Sequence, residues 1–458
     1  MLHSTLSQDA NYAALSYVWG QNQTYVLNDE TFEEKRRGLD VSRLPQTIID
    51  AITVTKGLGL TYLWVDALCI LQYEGDQMSD EIAVMGQIYQ NSEVTIIAAN
   101  SSSCIDGFIK EPERPTYFVE PFDVPLNIGD GNMENISLGY RSFYKPLKDP
   151  INLRAWTLQE KVMSTRSLIY AYDGLKWVCR TCEKNLNGPP GAPELFQFVL
   201  PREKLNASGD PEEVTVLRES WTNIWSEYTE RKLTYGRDKL PAISAVAFEV
   251  AKATGWTYIA GLWKEYLFVD LHWHSNPHSE FILLMPRPTD YRAPSWSWAS
   301  VDGHLVAAEP EGDEREPFHF EIISCNVEHT SGKASEQFRF DPINSGRLVV
   351  NGRLMDLHWK RAEDGDQTDM FLLLDDHGTT YVCGEATFDA QEPGLDTADR
   401  VSCLAMSVLR YENRKVFPVE GLLLLPHQAA GTYRRIGFFQ IYGTAMFDGV
   451  EEQVVQIL

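Results

Sequence analysis

Residues 62–99, YLWVDALCILQYEGDQMSDEIAVMGQIYQNSEVTIIAA, constrain the fold more than any other stretch of this chain. Residues 62–68 are a short apolar, β-rich run that suits a buried strand. A polar cluster of Asp66, Cys69 and Gln72 ends it, and an acidic loop containing Gly75 follows. Ile82, Met85, Ile88 and Tyr89 then fall at helical spacing over 80–90, and 93–99 read as a second buried strand. Strand, loop, helix, strand is the unit of parallel sheets, because parallel neighbours need a long crossover connection.

The preceding residues fit the same plan. Residues 12–18 (YAALSYV) read as a strand that runs into Trp19 and Gly20, a turn where backbone can approach a ligand closely. Pro45 suits the first position of a helix whose period is marked by Ile48, Ile49 and Ile52 and which Gly57 and Gly59 end. Strand and helix alternate through the first hundred residues, which predicts a doubly wound α/β domain with a parallel sheet. Ligands bind such sheets beyond the carboxyl ends of the strands. Those ends carry Ser16, Tyr17, Trp19 and Gly20, then Asp66, Cys69 and Gln72, then 100–103; the three groups are expected to line one crevice.

Further along, 100–150 read as long loops, 154–166 as a helix, and 167–172 with 175–179 as a hairpin turning at Asp173 and Gly174. Residues 185–193 (NLNGPPGAP) read as a linker. Amphipathic helices are expected over 214–231 and 238–253, with Asp238 as the N-cap of the second, and a third over 261–273. From about 315 short β-rich runs alternate with turns, as in an antiparallel β domain. The expected division is an α/β domain over 1–185, a helical region over 186–300 and a β-rich domain over 301–458.

The formal net charge of −25 argues against nucleic acid and anionic membranes as partners. No apolar run approaches the roughly 18 residues a membrane helix needs. The N-terminal MLHSTLSQDANYA lacks the basic start and apolar core of a signal peptide. Seven cysteines scattered through 458 residues fit a reducing compartment, so a cytoplasmic protein is expected.

With these residues laid out, the chain resembles the fungal heterokaryon-incompatibility (HET) domain proteins. The resemblance is carried by YAALSYVWG at 12–20, LPQTIIDAITVTKGLGLTYLWVDALCILQ at 44–72, EIAVMGQIYQNSEVTIIAA at 81–99 and RAWTLQEKVMSTRSLIY at 154–170, in the family order. Trp177, Val178 and Cys179 resemble the segment that closes the domain, and YRAPSWSWASVDG at 291–303 resembles the region that often follows it. The resemblance implies a module of fungal non-self recognition and cell death. It also implies a flavodoxin-like sheet related to the Toll/interleukin-receptor fold, some members of which cleave NAD+ with a helix-borne glutamate. Self-association and an activating protein partner belong to the same expectation. Leu71 departs from the family, which commonly carries an acid at that position.

Glu81 matches the helix-borne glutamate, and it falls inside the apolar arc of its helix. A carboxylate turned toward a core is paired, protonated or catalytic, and the residues leave both a structural and a catalytic reading open. Acting on NAD+, it would stabilise an oxocarbenium-like transition state, with Trp19 or Tyr17 stacked on a flat ring. NAD+ would be a substrate; no cofactor is expected. Arg154, Trp156, Gln159 and Glu160 form a second cluster, which also reads as an ion-pair network joining helix to sheet. Cys69 reads as a buried structural thiol, because His3 is the only histidine in the first 180 residues. The Cys179-x-x-Cys182 pair lacks the second pair of a zinc site, and no metal site is expected. Two readings of other classes stand beside NAD+ cleavage: a non-catalytic interaction module, and a HET-like enzyme of small-molecule metabolism.

Overall fold

A computed structural model describes residues 10–21, 23–72, 79–110, 122–129, 132–138, 149–185, 211–276, 285–308, 315–330, 342–361, 370–374, 382–392, 395, 399–410, 416–427 and 429–458. The chain divides into two compact units, Met1–Val199 and Leu200–Leu458.

The first unit is α/β. Strand β1 is Tyr12–Ser16; helices α1 (Phe32–Arg37) and α2 (Gln46–Gly57) follow, then β2 (Tyr62–Val65), a helical turn α3 (Asp66–Cys69), α4 (Ser79–Asn91) and β3 (Val94–Ile97). Strands β4 (Phe122–Gly129) and β5 (Asn132–Leu138) pair with each other, so the span expected as loop contains a hairpin. Helix α5 (Trp156–Met163) leads into β6 (Arg166–Ala171), β7 (Gly174–Cys179) and β8 (Cys182–Asn185). The first expected strand is shorter than 12–18, and the second stops at Val65, where Asp66 opens α3.

The main sheet has the order β2-β1-β3-β6-β7-β8. Its first four strands are parallel, with Ala13 opposite both Leu63 and Val94, and Thr95 opposite Ser167. The hairpin partners β7 and β8 are antiparallel. Successive side chains of a strand point to opposite faces. Ala13, Leu15 and Tyr17 accordingly join Ile48 and Ala51 of α2, with Val65, Val94 and Ile96, in one core. Burying each large side chain there contributes about 1.5–3 kcal/mol, so Ile48→Ala would remove a principal contact of α2. On the other face, Ile97, Ala99, Ile169 and Ala171 cluster with Ile151. Ser16 shares that face by alternation. So does Trp64, whose ring meets Tyr89 of α4 edge-on at 5.4 Å between centroids. The chain steps from β1 outward to β2 and then crosses back past β1 to β3, which makes the gap between β1 and β3 the switch point where such sheets bind ligands.

The second unit holds both the helical and the β-rich stretches. Helices α6 (Pro211–Thr229) and α7 (Ser244–Thr254) are followed by the short strands β9 (Tyr258–Ile259) and β10 (Leu262–Trp263), the turn α8 (Leu267–Asp270), β11 (Trp273–Ser275) and β12 (Leu305–Ala307). Helix α7 begins later than expected. Pro241 cannot donate within a helix, and 236–239 and 241–243 form 3-10 turns, so Asp238 is not the N-cap. It ends at Gly255, whose left-handed φ of 76° lets its N–H return to the Ala251 carbonyl. The helix expected over 261–273 is replaced by β10, α8 and β11, because Gly261 takes φ 94°.

Strands β13 (Arg315–Pro317), β14 (Glu321–His329), β15 (Ile343–Arg361), β16 (Met370–Leu374), β17 (Val382–Phe388), β18 (Arg400–Leu409), β19 (Val419–Pro426), β20 (Thr432–Ile441) and β21 (Glu452–Ile457) form the large sheet. Nearly all of its pairings are antiparallel; β20 with β21 is parallel. The long β15 pairs with both β16 and β18. The path β15-β16-β17-β20-β19-β18 therefore returns to β15 and closes a ring, which removes the exposed edges of those strands. Leu357, Phe371, Cys403, Leu423, Ile436 and Phe439 form its core. Trp296 and Trp298, of the 291–303 motif, are fully buried.

Candidate functional site

The site lies where β1, β2 and α5 meet on the face of the sheet that carries Ser16. Asp66 ends β2 and opens α3. Its Oδ2 accepts the indole N–H of Trp19 at 2.8 Å, and its Oδ1 accepts the Ala67 N–H at 2.6 Å. Arg154, at the entrance to α5, donates from Nη1 to the Tyr17 carbonyl at 2.6 Å. Burial pushes the Asp66 carboxyl up to about 6; the Arg154 charge, the Ala67 N–H and the Trp19 indole oppose that shift without cancelling it.

One turn into α5, Gln159 and Glu160 are buried. Glu160 is 5% exposed, and burial first, then the Asp66 charge, push its carboxyl up to about 7. The Ser16 hydroxyl, Arg154 and the Tyr89 hydroxyl favour its charged form. The Tyr89 hydroxyl donates to the Leu15 carbonyl at 3.2 Å, and burial first, then Glu160 and Asp66, push its phenol well above the ordinary range. Half-buried Asp66 and buried Glu160, with Arg154 beside them, both have carboxyls pushed up toward neutrality, and the Asp66 charge raises Glu160. Such a pair can hold one charge and one proton at once, the condition for acid–base work or for stabilising a cation.

Buried polar atoms without a partner among the described residues accumulate around this end of the sheet: Ser16 Oγ, Tyr17 Oη, Asn100 Oδ1 and Ser103 Oγ. Ser16 Oγ faces Glu160 and favours its charged form. Buried polar groups are nearly always paired, so a cluster of orphans beside a strand switch point marks a place for a polar guest. Gly20 has φ 66°, and a Cβ there would lie 2.7 Å from Ser103 Oγ, so the Trp19–Gly20 turn packs directly on the loop after β3.

The structure thus brings Ser16, Tyr17, Trp19, Asp66, Arg154 and Glu160 together. The other sequence candidates stand differently. Glu81 lies in the first turn of α4, and its side chain is outside the described residues. Gln72 donates from Nε2 to Ile70 O at 3.1 Å and from its N–H to Leu27 O at 2.8 Å, which fastens its own loop. Cys69, expected as a buried residue, has an exposed surface, although packing around its sulfur pushes the thiol up to about 11. It is no thiolate at neutral pH. Trp156 is half-buried one turn before Glu160. Among the described residues no group of histidines, cysteines and acids could hold a metal ion. Tyr89 was legible only as an apolar position of α4, since spacing shows that a residue faces the core and not what its hydroxyl meets there.

These features define a parallel α/β domain with an acid pair, Asp66 and Glu160, beside the end of β1. Residues 12–160 match the family model described as heterokaryon incompatibility protein (HET), so the first unit carries a HET domain. Among curated proteins and solved structures, nothing matches the chain. No helix among the described residues is long and apolar enough to cross a membrane.

Proposed function

We propose that the HET domain is an effector of fungal non-self recognition and cell death that cleaves NAD+ at the nicotinamide–ribose bond. The observation that carries this reading is the pair of carboxyls beside the end of β1, half-buried Asp66 and buried Glu160, both pushed up toward neutrality. The order β2-β1-β3-β6 of the parallel strands is that of flavodoxin-like sheets, which supports the Toll-like expectation. Nicotinamide leaves as a neutral ring from a cationic pyridinium and needs no proton. The demand falls instead on stabilising the oxocarbenium-like ribosyl group and activating a water. With both carboxyls ionised, one stabilises the ribosyl cation, and the other accepts the proton of the attacking water as its oxygen bonds to the ribose carbon and nicotinamide departs. Trp19 is held by Asp66, and Tyr17 and Ser103 carry buried hydroxyls without a partner among the described residues. Glu81, on the first turn of α4, is the competing carboxylate. A cytoplasmic location, self-association and an activating partner go with this reading.

The second reading is a non-catalytic module whose crevice only binds. Leu71, at a commonly acidic position, favours it. The test is nicotinamide release from NAD+ by the intact chain, with Glu160→Gln, Asp66→Asn and Glu81→Gln beside wild type. NAD+ cleavage by the pair predicts at least a hundredfold loss, about 2.7 kcal/mol of barrier, in the first two variants with folding retained. Loss confined to Glu81→Gln moves the chemistry to α4. Absence of turnover in wild type, even when concentrated enough to self-associate, selects the binding module.

A further inference from the structure

The β7–β8 hairpin carries a feature that the acid pair does not use. Cys179 ends β7 and Cys182 opens β8, and the two are directly opposite in the register of a two-residue hairpin through Arg180 and Thr181. Their Sγ atoms are 3.5 Å apart. A disulfide needs about 2.05 Å between sulfurs and Cα atoms roughly 4.4–6.8 Å apart, a separation that directly opposed residues in an antiparallel pair satisfy. A small rotation about the side chains closes the remaining distance without moving the backbone.

The surroundings separate the two sulfurs chemically. The Thr181 hydroxyl lies 3.4 Å from Cys179 Sγ. That hydroxyl first, then the Thr181 and Cys182 backbone N–H groups, hold the Cys179 thiol down to about 6, and the neighbouring Cys179 raises Cys182. Arg180 and Thr181 are exposed and both cysteines are half-exposed, so a small thiol reagent reaches the tip. Cys104, Cys325, Cys383 and Cys403 are buried, and Cys69 is held protonated by its packing.

We infer that Cys179 and Cys182 form a reversible dithiol–disulfide site that exchanges with low-molecular-weight disulfides of the glutathione class. The Cys179 thiolate attacks one sulfur of the small disulfide, forming a mixed disulfide and expelling one small thiolate. Cys182 then gives up its proton and attacks Cys179 Sγ, forming the 179–182 bond and expelling the second small thiolate. Two protein thiols are oxidised, and one small disulfide is reduced to two thiols. The product staples β8 to β7 at the edge of the main sheet.

The test equilibrates the intact chain with oxidised and reduced glutathione at graded ratios, quenches with acid, alkylates after denaturation and maps peptides by mass. The expected product has the 179–182 span two hydrogens lighter and unalkylated while the other five cysteines take the label. Cys182→Ser should accumulate one glutathione on Cys179, and Cys179→Ser should react at least tenfold more slowly at Cys182. Time-resolved mapping of wild type checks the same order of attack without a variant. Alkylation of both cysteines under fully oxidising ratios, separate glutathiones on each, or first reaction at Cys69 would each overturn the assignment.

Discussion

The Trp19 indole N–H donates to Asp66 Oδ2 at 2.8 Å and ties the turn after β1 to the end of β2. Two residues 47 apart in sequence thus share one bond across the mouth of the sheet. The bond matters most when Asp66 is charged, because hydrogen bonds to ionised groups are worth about 1.5–3 kcal/mol. Trp19→Phe should therefore lower stability by about 1–2 kcal/mol at pH 8 and by less at pH 5, where Asp66 is largely protonated. Urea unfolding at the two pH values measures the difference. Equal losses at both would mean that the indole acts only by packing.

Glu160 gives a pH dependence of opposite sign to that of an ordinary salt-bridged acid. Its folded pKa, about 7, lies above the unfolded value near 4.5. Between those values the unfolded chain has released the proton and the folded chain retains it, so stability falls as pH rises through this window and levels off above it. Asp66 adds a fall of the same sign between about 3.8 and 6. Glu160→Gln, a neutral isostere in a site that prefers the neutral form, should flatten the slope and raise stability at pH 8 by about 1–3 kcal/mol. Calorimetry from pH 4.5 to 8 reads this directly. A loss of stability at pH 8 would show that Glu160 is charged and paired in the fold.

Turnover of NAD+, under the proposed reading, needs both carboxylates of the pair ionised, one for the ribosyl cation and one as base for the water. The rate should rise with pH as the pair titrates between about 6 and 7. Asp66→Asn should leave one titrating group and lower the midpoint for Glu160, since the Asp66 charge is one of the causes that raise it. A profile that is flat from pH 5.5 to 8 would detach the chemistry from these residues.

Asp50 of α2 fixes the loop after β3. Its Oδ2 accepts the Phe108 and Ile109 N–H groups at 2.8 and 3.2 Å, and Gln46 donates to its Oδ1 at 2.7 Å. Gly107 has φ 66°, and a Cβ there would sit 2.7 Å from Asp50 Oδ2. Gly107→Ala should cost about 1–3 kcal/mol through backbone strain and the displaced carboxylate. Asp50→Ala should cost a similar amount by orphaning two N–H groups. The double variant should cost less than the sum, which a thermodynamic cycle on urea melts tests.

In the second unit Arg435 is fully buried. Its Nε donates to Asp389 Oδ2 at 3.0 Å, Nη1 to Leu271 O at 2.8 Å and Nη2 to Trp273 O, while its guanidinium lies 3.5 Å over the Trp273 ring. Arg435→Met should destabilise by about 3–5 kcal/mol, because it leaves Asp389 buried without its cation. Arg435→Lys should recover little, since an ammonium cannot span those acceptors at once. Removing both charges with Asp389→Leu in the Arg435→Met background should restore part of the loss.

What the sequence by itself determined was the run of elements around β1, β2 and β3 and the polar clusters at their ends. Apolar periodicity is local, and the helical spacing of Ile48 and Ile52 or the short apolar run through Tyr12–Ser16 is readable within a few residues. Residues 154–160 were likewise visible as a polar and aromatic cluster. The tertiary structure alone decided which carboxyls meet. Glu81 and Glu160 are both glutamates on helices beside parallel strands, and nothing in their spacing ranks one above the other. The order β2-β1-β3-β6 and the alternation that turns Ser16 toward α5 bring Glu160 near enough to Asp66, 94 positions apart in number, for its charge to act, and desolvation moves both pKa values toward neutrality. A pKa is a property of the surroundings, and the surroundings are assembled by the long-range sheet register rather than by any neighbouring residue. The closure of the second sheet through β15 pairing with both β16 and β18 follows the same logic: the runs are local, but the ring depends on which strands find each other.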